Sequence, residues 1–197
     1  MEGVWLVHTG VPANNQKNER LSSAGYIVNY LNKMKGTKRT APLTAPSSHE
    51  LFIAFLGAFT GIAAVAIPSI VYKMPMLVAS FGASAVLVYG VPDVPLAQPR
   101  NVIGGHVISA VTGVVIYGLF GLTWWSAALA TASGIVLMLV TRTAHPPGGA
   151  TALVAVLNRA SPIYILMPVA LGAVILVAVG LLINNLSPGR RYPRYWL

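Results

Sequence analysis

From Leu51 to Tyr72 the chain runs 22 residues without a charged side chain, and that run limits what the rest can become. At about 1.5 Å of rise per helical residue it crosses the roughly 30 Å hydrocarbon layer of a bilayer. A helix apolar on every face needs an apolar surrounding, which a small soluble domain does not supply. Comparable runs recur at Val102–Phe120, Trp124–Val140 and Ile163–Ile183, in a chain of 197 residues that is 55% hydrophobic and only 9% charged. The sequence reads as a multi-pass integral membrane protein.

Two further apolar segments are too short to be comfortable spans. Met76–Tyr89 follows Pro75, and His145-Pro146-Pro147-Gly148-Gly149-Ala150-Thr151 opens the second, which runs to Leu157. Two adjacent prolines remove two amide donors and stop a helix from running in unbroken, so a helix is expected to begin after them. Its first amides would then lack partners, at a cost of several kcal/mol each in hydrocarbon unless protein, water or a bound anion satisfies them. The expected fold is therefore an all-α membrane protein with four long spans plus two short broken or re-entrant helices. The short segments also resemble each other. Gly82-Ala83-Ser84-Ala85-Val86-Leu87-Val88 maps onto Gly149-Ala150-Thr151-Ala152-Leu153-Val154-Ala155 under a shift of 67, which also maps Pro95 to Pro162, Gly105 to Gly172 and Gly113 to Gly180. This points to an internal repeat, inverted if each half crosses three times and parallel if the short segments only dip in.

Charge sits at the ends. Of 13 Lys and Arg, six lie in residues 1–49 and three in residues 190–194, against four acidic residues and a net charge of +9. Flanking cations fix orientation and favour anionic lipid headgroups, which place both tails on the cytoplasmic or equivalent side and make nucleic acid an unneeded partner. Residues 1–48 read as an N-terminal tail, in which Leu21, Ala24, Val28, Leu31 and Met34 suit an amphipathic interfacial helix and residues 36–48 a linker. The transmembrane domain is placed at 49–186 and a basic C-terminal tail at 187–197. Glu2 and the lack of a cation before Lys17 do not fit a secretory signal. No cysteine is present, so disulfides and thiolate metal sites are excluded. With so few carboxylates, acid–base hydrolysis and carboxylate proton pumping are disfavoured, and no metal or cofactor is called for.

If the repeats are inverted, the segments around Pro75–Ser80 and Arg142–Pro147 enter from opposite faces, and two helix N-termini starting near Gly82 and Gly149 converge near mid-membrane. Each carries about half a positive charge and free amides, which suits a small monovalent anion. Candidate substrate-binding residues are Ser80, Gly82, Ala83, Ser84, His145, Gly148, Gly149, Ala150 and Thr151. Arg100, Asn101, His106 and Arg142 are the candidates for gating or steering. The bland reading is that Ser84 and Thr151 bond back to their own helices or across to neighbours and that the histidines are hydrogen-bonded packing or pH-sensitive groups.

His145-Pro146-Pro147-Gly148-Gly149-Ala150-Thr151-Ala152 resembles the signature of the HPP family of integral membrane proteins. Ser80-Phe81-Gly82-Ala83-Ser84-Ala85 and the block from Pro95 to His106 resemble its other recurrent stretches, and the likeness covers roughly residues 50–185. Family members from cyanobacteria and chloroplasts are implicated in nitrite transport across the plasma or envelope membrane. The resemblance implies the same substrate class here: a homo-oligomeric transporter or channel for a small inorganic anion, nitrite first, with nitrate, formate, bicarbonate or chloride as alternatives, and a place in nitrate assimilation. One rival is a membrane scaffold acting through its tails. The other, an enzyme, would need Ser80 or Ser84 paired with a histidine, and the sequence offers nothing to orient that base.

Overall fold

The computed structural model describes residues 45–196, together with Val28, Asn32 and Met34. Those three are helical and exposed, while the rest of the expected amphipathic segment and its linker lie outside the described residues. Pro46 onward forms one compact unit.

Six helices build this unit, with no strand among the described residues. They are α1 (Ser48–Ile70), α2 (Ser80–Gly90), α3 (Pro99–Phe120), α4 (Trp124–Val140), α5 (Pro146–Leu157) and α6 (Ile165–Asn184). Three of them, α1, α3 and α6, are long and apolar enough to cross a membrane. The fourth expected long span, α4, has 17 residues, or about 25 Å of helix. Thr123 sets its start: the Thr123 hydroxyl accepts from the Ser126 amide and the Ser126 hydroxyl accepts from the Thr123 amide, both at 3.0 Å. The same reciprocal cap, built by Ser47 and Glu50, opens α1.

The prolines of α5 act otherwise than the sequence suggests. The helix begins at Pro146, not after Pro147. At the first two helical positions an amide has no intrahelical partner to lose, so proline fits there and brings its helical φ with it. In α6, by contrast, Met167 leaves helical geometry at φ −135° and ψ 118° immediately before Pro168, the extended conformation that a following proline ring imposes.

Hydrogen bonds sort the helix ends. Arg190 donates through Nη1 to the Tyr89 carbonyl (2.7 Å) and Asn184 Oδ1 (3.0 Å), and through Nη2 to the Glu50 carbonyl (3.0 Å). It thereby ties the start of α1 to the ends of α2 and α6. Arg100 Nη2 donates to Thr141 O and Asn101 Nδ2 to Ala144 O, joining the start of α3 to the end of α4 and the entry to α5. The starts of odd-numbered helices and the ends of even-numbered ones thus share one end of the bundle, so successive helices alternate in direction. The C-terminal residues cover that end: Tyr192 is buried and donates to Ala97 O at 2.9 Å, while Gln98 Oε1 accepts from the Arg194 amide.

The outside is apolar. Phe52, Phe55 and Phe59 of α1 are each more than half exposed, whereas Gly57, Gly61 and Val65 face inward. A continuous exposed apolar surface of this kind is stable against lipid tails and not against water. Inside, one core joins α1, α2 and α6 around Val65, Phe81, Val88, Tyr89, Leu176 and Val177, and a second joins α3, α4 and α5 around Ile116, Ala127, Ala130, Ala152 and Val156. Residues related by the 67-residue shift pack alike across these groups. A Cβ at Gly113 of α3 would lie 2.6 Å from Ala155 Cβ on α5, and one at Gly180 of α6 would lie 2.7 Å from Val88 Cγ1 on α2.

Candidate functional site: a buried histidine and hydroxyl cluster

Where α2 and α5 meet, five polar side chains close on one another. Ser80 and Ser84 stand one turn apart on α2, Thr151 projects from the second turn of α5, His145 precedes that helix, and His106 comes from the middle of α3. None is more than 2% exposed. Ser80 Oγ lies 2.9 Å from Thr151 Oγ1, Thr151 Oγ1 lies 2.7 Å from His106 Nδ1, and His106 Nε2 lies 2.7 Å from Ser84 Oγ. Ser84 Oγ lies 2.9 Å from His145 Nε2, and His145 Nδ1 lies 2.8 Å from the Leu96 carbonyl.

The terminal carbonyl fixes the protons. Leu96 O only accepts, so His145 carries hydrogen on Nδ1, and a neutral ring then leaves Nε2 as acceptor. Ser84 donates to that nitrogen and accepts from His106 Nε2–H. His106 Nδ1 is then bare and accepts from Thr151, which in turn accepts from Ser80. Each hydrogen is used once, and no charge is needed to satisfy the buried groups. Ser84 and Thr151, which the 67-residue shift relates, flank His106 on its two nitrogens. Their bonds back to Ser80 O and Pro147 O are equal and longer, both 3.3 Å. Bonds back to the own helix and bonds across to neighbours, the two forms of the bland reading, are thus both present, and the cross-helix set is the shorter. The two imidazole rings meet edge to face at 4.9 Å, and Phe81 closes the other side of His106 at 5.3 Å.

The expected anion cradle of bare amides is not formed. Pro146 and Pro147 have no N–H, and the Gly148 amide donates to His145 O at 2.8 Å. On α2, the amides of Phe81 and Gly82 donate to Val78 O and Ala79 O. The first turns of both helices are closed by their own entry segments, so side-chain hydroxyls and imidazoles are the donors at this crossing. Two cavities lie near the two ends of α5, and of the five side chains only His145 lines one of them. One, of about 310 Å³, lies at the start of α5 and is lined by Leu96, Met138, Ala144, His145, Pro146 and Gly149 among others. The other, of about 410 Å³, lies at the far end of α5 and is lined by Val78, Ala79, Val154, Leu157, Tyr164 and Pro168 among others.

Residues 43–193 match the family profile described as "HPP, transmembrane region". The chain belongs to the HPP family. Two transmembrane proteins of Dictyostelium discoideum are similar to this HPP chain, one 40% identical over 185 residues and the other 37% over 195, covering 87% and 93% of it. The HPP chain spans 64% and 62% of those two relatives. No solved structure matches it.

The remaining candidates in this HPP domain fall in different places. Gly148 is buried against α3, where an added Cβ would meet Ser109 Oγ at 2.8 Å and Gly105 O at 2.9 Å, and Gly149 borders the smaller cavity. Gly82, Ala83 and Ala150 are exposed on the outer faces of their helices, away from the cluster. Arg100 and Asn101 hold the α4–α5 turn, Arg142 is exposed within that turn, and His106 sits buried at the cluster's centre. Asp93 pairs at 2.7 Å with Arg194. Two participants escape sequence reasoning. Leu96 acts through its backbone, so its side-chain type carries no signal. Tyr164 reaches the cluster only through the Thr151 carbonyl, at 3.5 Å.

Proposed function

We propose that the chain is a membrane transporter for a small monovalent anion and that the Ser80, Ser84, His106, His145 and Thr151 cluster is its selective constriction. The observation that carries the reading is this buried set of hydroxyls and imidazoles, bridging the two short helices within an otherwise apolar unit. Burying polar groups costs several kcal/mol unless they are hydrogen-bonded, and polar residues kept bonded inside a membrane unit mark a functional site by default. It holds no carboxylate, so it repels no anion. Parting Ser80 from Thr151 would free hydroxyl donors for an incoming anion, and no unpaired charge would be left behind, because the cluster is satisfied without any charged group.

Alternating helix directions support six crossings, with α1–α3 and α4–α6 as inverted repeats, and the equivalent packing of Gly113 and Gly180 supports the same relation. Glycine-rich helix faces and small size favour a homo-oligomer. Nitrite stands first among substrates because the family resemblance implies it. Transport is favoured over catalysis although the Leu96 carbonyl does orient His145 beside Ser84, as a serine nucleophile would require. Ser84 is fully buried and lines neither of the two cavities.

Uptake by liposomes carrying purified protein tests this, with nitrite, nitrate, formate, bicarbonate and chloride compared. One of these anions should enter well above empty vesicles, and Thr151→Val should cut that flux about tenfold or more, as expected when about 1.4 kcal/mol or more of barrier stabilisation is lost. Flux no higher than in empty vesicles for all five rejects the proposal. A scaffold would instead be disabled by changes in residues 1–49 and would tolerate Thr151→Val.

A further inference from the structure

One carbonyl sets the order of donors in the cluster. Because Leu96 O accepts from His145 Nδ1, the bare Nε2 faces Ser84, and each hydrogen from Ser84 to Ser80 is assigned in turn. Withdrawing Leu96 O would let the His145 ring carry its hydrogen on Nε2 and donate to Ser84. His106 would then be protonated on Nδ1, Thr151 would accept from it, and the whole order would turn round. The turn that holds this carbonyl is slight. Pro95–Ala97 is a single 3₁₀ turn, closed by Ala97 N to Val94 O at 3.0 Å and Gln98 N to Pro95 O at 3.2 Å, and such turns have poorer hydrogen-bond geometry than an α-helix.

The remaining support comes from the segment after α6. Tyr192 is 1% exposed and donates through its hydroxyl to Ala97 O at 2.9 Å, one peptide on from Leu96. The Arg194 amide donates to Gln98 Oε1 at 2.8 Å, while Gln98 Nε2 donates to Pro92 O at 2.8 Å and Val94 O at 3.0 Å. Tyr192 is itself held on both sides by Asn185, whose Oδ1 accepts from the Tyr192 amide and whose Nδ2 donates to the Tyr192 carbonyl. Its ring packs against Gly180, where an added Cβ would lie 3.0 Å from Tyr192 Cε1. Ala97, Gln98 and His145 are buried as well, so bulk water does not replace a bond lost here. A tail that acts only by its charge needs its arginines. It does not need a buried phenol bonded to the loop that orients His145.

We infer that Tyr192 is a positioning residue of the cluster: by tying down the Ala97 peptide it keeps the Leu96 carbonyl on His145 Nδ1, and so fixes which hydrogens the cluster offers an anion. Its effect on flux rests on the anion-transport reading, and its effect on the His145 ring on geometry alone. The segment after α6, a basic tail by charge, thereby supplies part of the site. Tyr89 is the matched control. It is also a buried tyrosine whose hydroxyl donates to a carbonyl at 2.9 Å, but its acceptor is Leu176 O in the middle of α6.

The test uses full-length protein in lipid vesicles, isotope-labelled on the histidine ring nitrogens. Solid-state NMR separates N–H from bare ring nitrogens, and the His145 signals are those missing from His145→Gln. Wild-type His145 should be protonated on Nδ1 and bare on Nε2. Tyr192→Phe keeps the packing of the ring and removes only its hydroxyl. In that variant the share of the Nε2–H form should rise about fivefold, the scale of one neutral hydrogen bond, whereas Tyr89→Phe should match wild type. Asn185→Leu, which frees the Tyr192 backbone, should shift the share in the same direction as Tyr192→Phe. Flux of nitrite, nitrate, formate, bicarbonate and chloride is measured on the same proteins. Whichever of these enters fastest should slow about fivefold in Tyr192→Phe and stay within about twofold of wild type in Tyr89→Phe. A wild-type ring protonated on Nε2 overturns the inference without any variant having to fold. So does a share that is unchanged in Tyr192→Phe and Asn185→Leu, or that shifts as far in Tyr89→Phe. Wild-type flux in Tyr192→Phe overturns its part in transport. Absence of wild-type flux for all five anions rejects the anion reading, and the ring signal still decides whether Tyr192 sets the His145 tautomer.

Discussion

Single residues in this unit matter through how little space they leave. Tyr89 lies across Gly57 and Gly61 of α1, and a Cβ at Gly61 would collide with its phenol oxygen, which donates to Leu176 O at 2.9 Å. Gly61→Ala forces the ring to move, and overpacking of this kind costs about 1–3 kcal/mol. Removing the hydroxyl in Tyr89→Phe costs about 1 kcal/mol through the lost bond. The two changes share one contact, so Gly61→Ala should cost less in the Tyr89→Phe background than in wild type. Thermal unfolding of the four proteins in detergent measures this, and strictly additive shifts would mean that Tyr89 does not fill the groove. The same logic makes Arg190 more than a topological charge. Its guanidinium serves three acceptors from three helices, so Arg190→Ala should destabilise by about 1–3 kcal/mol. Asp93→Asn, which breaks only an ion pair whose members are 55% and 45% exposed, should cost under about 1 kcal/mol.

At the scale of elements, α5 is where reading and structure part. The HPP stretch announces a helix start, and one exists there, but Pro146 and Pro147 sit inside it at positions where no amide is missed. Pro146→Ala should therefore cost less than about 1 kcal/mol, since it only loosens the unfolded chain. Ala152→Pro, in the helix interior, should cost about 3 kcal/mol or more. A urea or thermal titration that ranks the two the other way would refute this placement. Much of the site is legible from type and spacing. Ser80, Ser84, His145 and Thr151 are polar residues in apolar segments, and such residues seldom sit in a membrane without partners. His106 is legible as a site residue but not as its centre, because three-dimensional closure of α3 against α2 and α5 leaves no local pattern. Backbone acceptors such as Leu96 O are invisible in principle. The bare-amide cradle fails for a related reason: helix-end amides are satisfied by whichever carbonyl the entry segment presents, and here His145, Val78 and Ala79 present theirs.

For the whole molecule, the number of crossings fixes which connecting segments share a compartment. Long apolar helices alone would leave α2 and α5 as loops that dip and return. The proposal of six crossings rests instead on the hydrogen-bonded ends, where Tyr89 and Asn184 share Arg190 with Glu50. If α2 crosses, Lys73 and Asp93 face opposite compartments, and if α5 crosses, Arg142 and Arg159 do too. Re-entrant segments would put each pair on one side. The chain contains no cysteine, so single-cysteine variants at these four positions need no background engineering. In sealed vesicles of one orientation, a membrane-impermeant maleimide added outside should label one member of each pair, and detergent should release labelling of the other. Lys73 and Arg159 should behave alike, as should Asp93 and Arg142, because alternation places them at shared ends. Labelling of both Lys73 and Asp93 from the same side would reduce α2 to a re-entrant helix. It would also make the two halves parallel repeats.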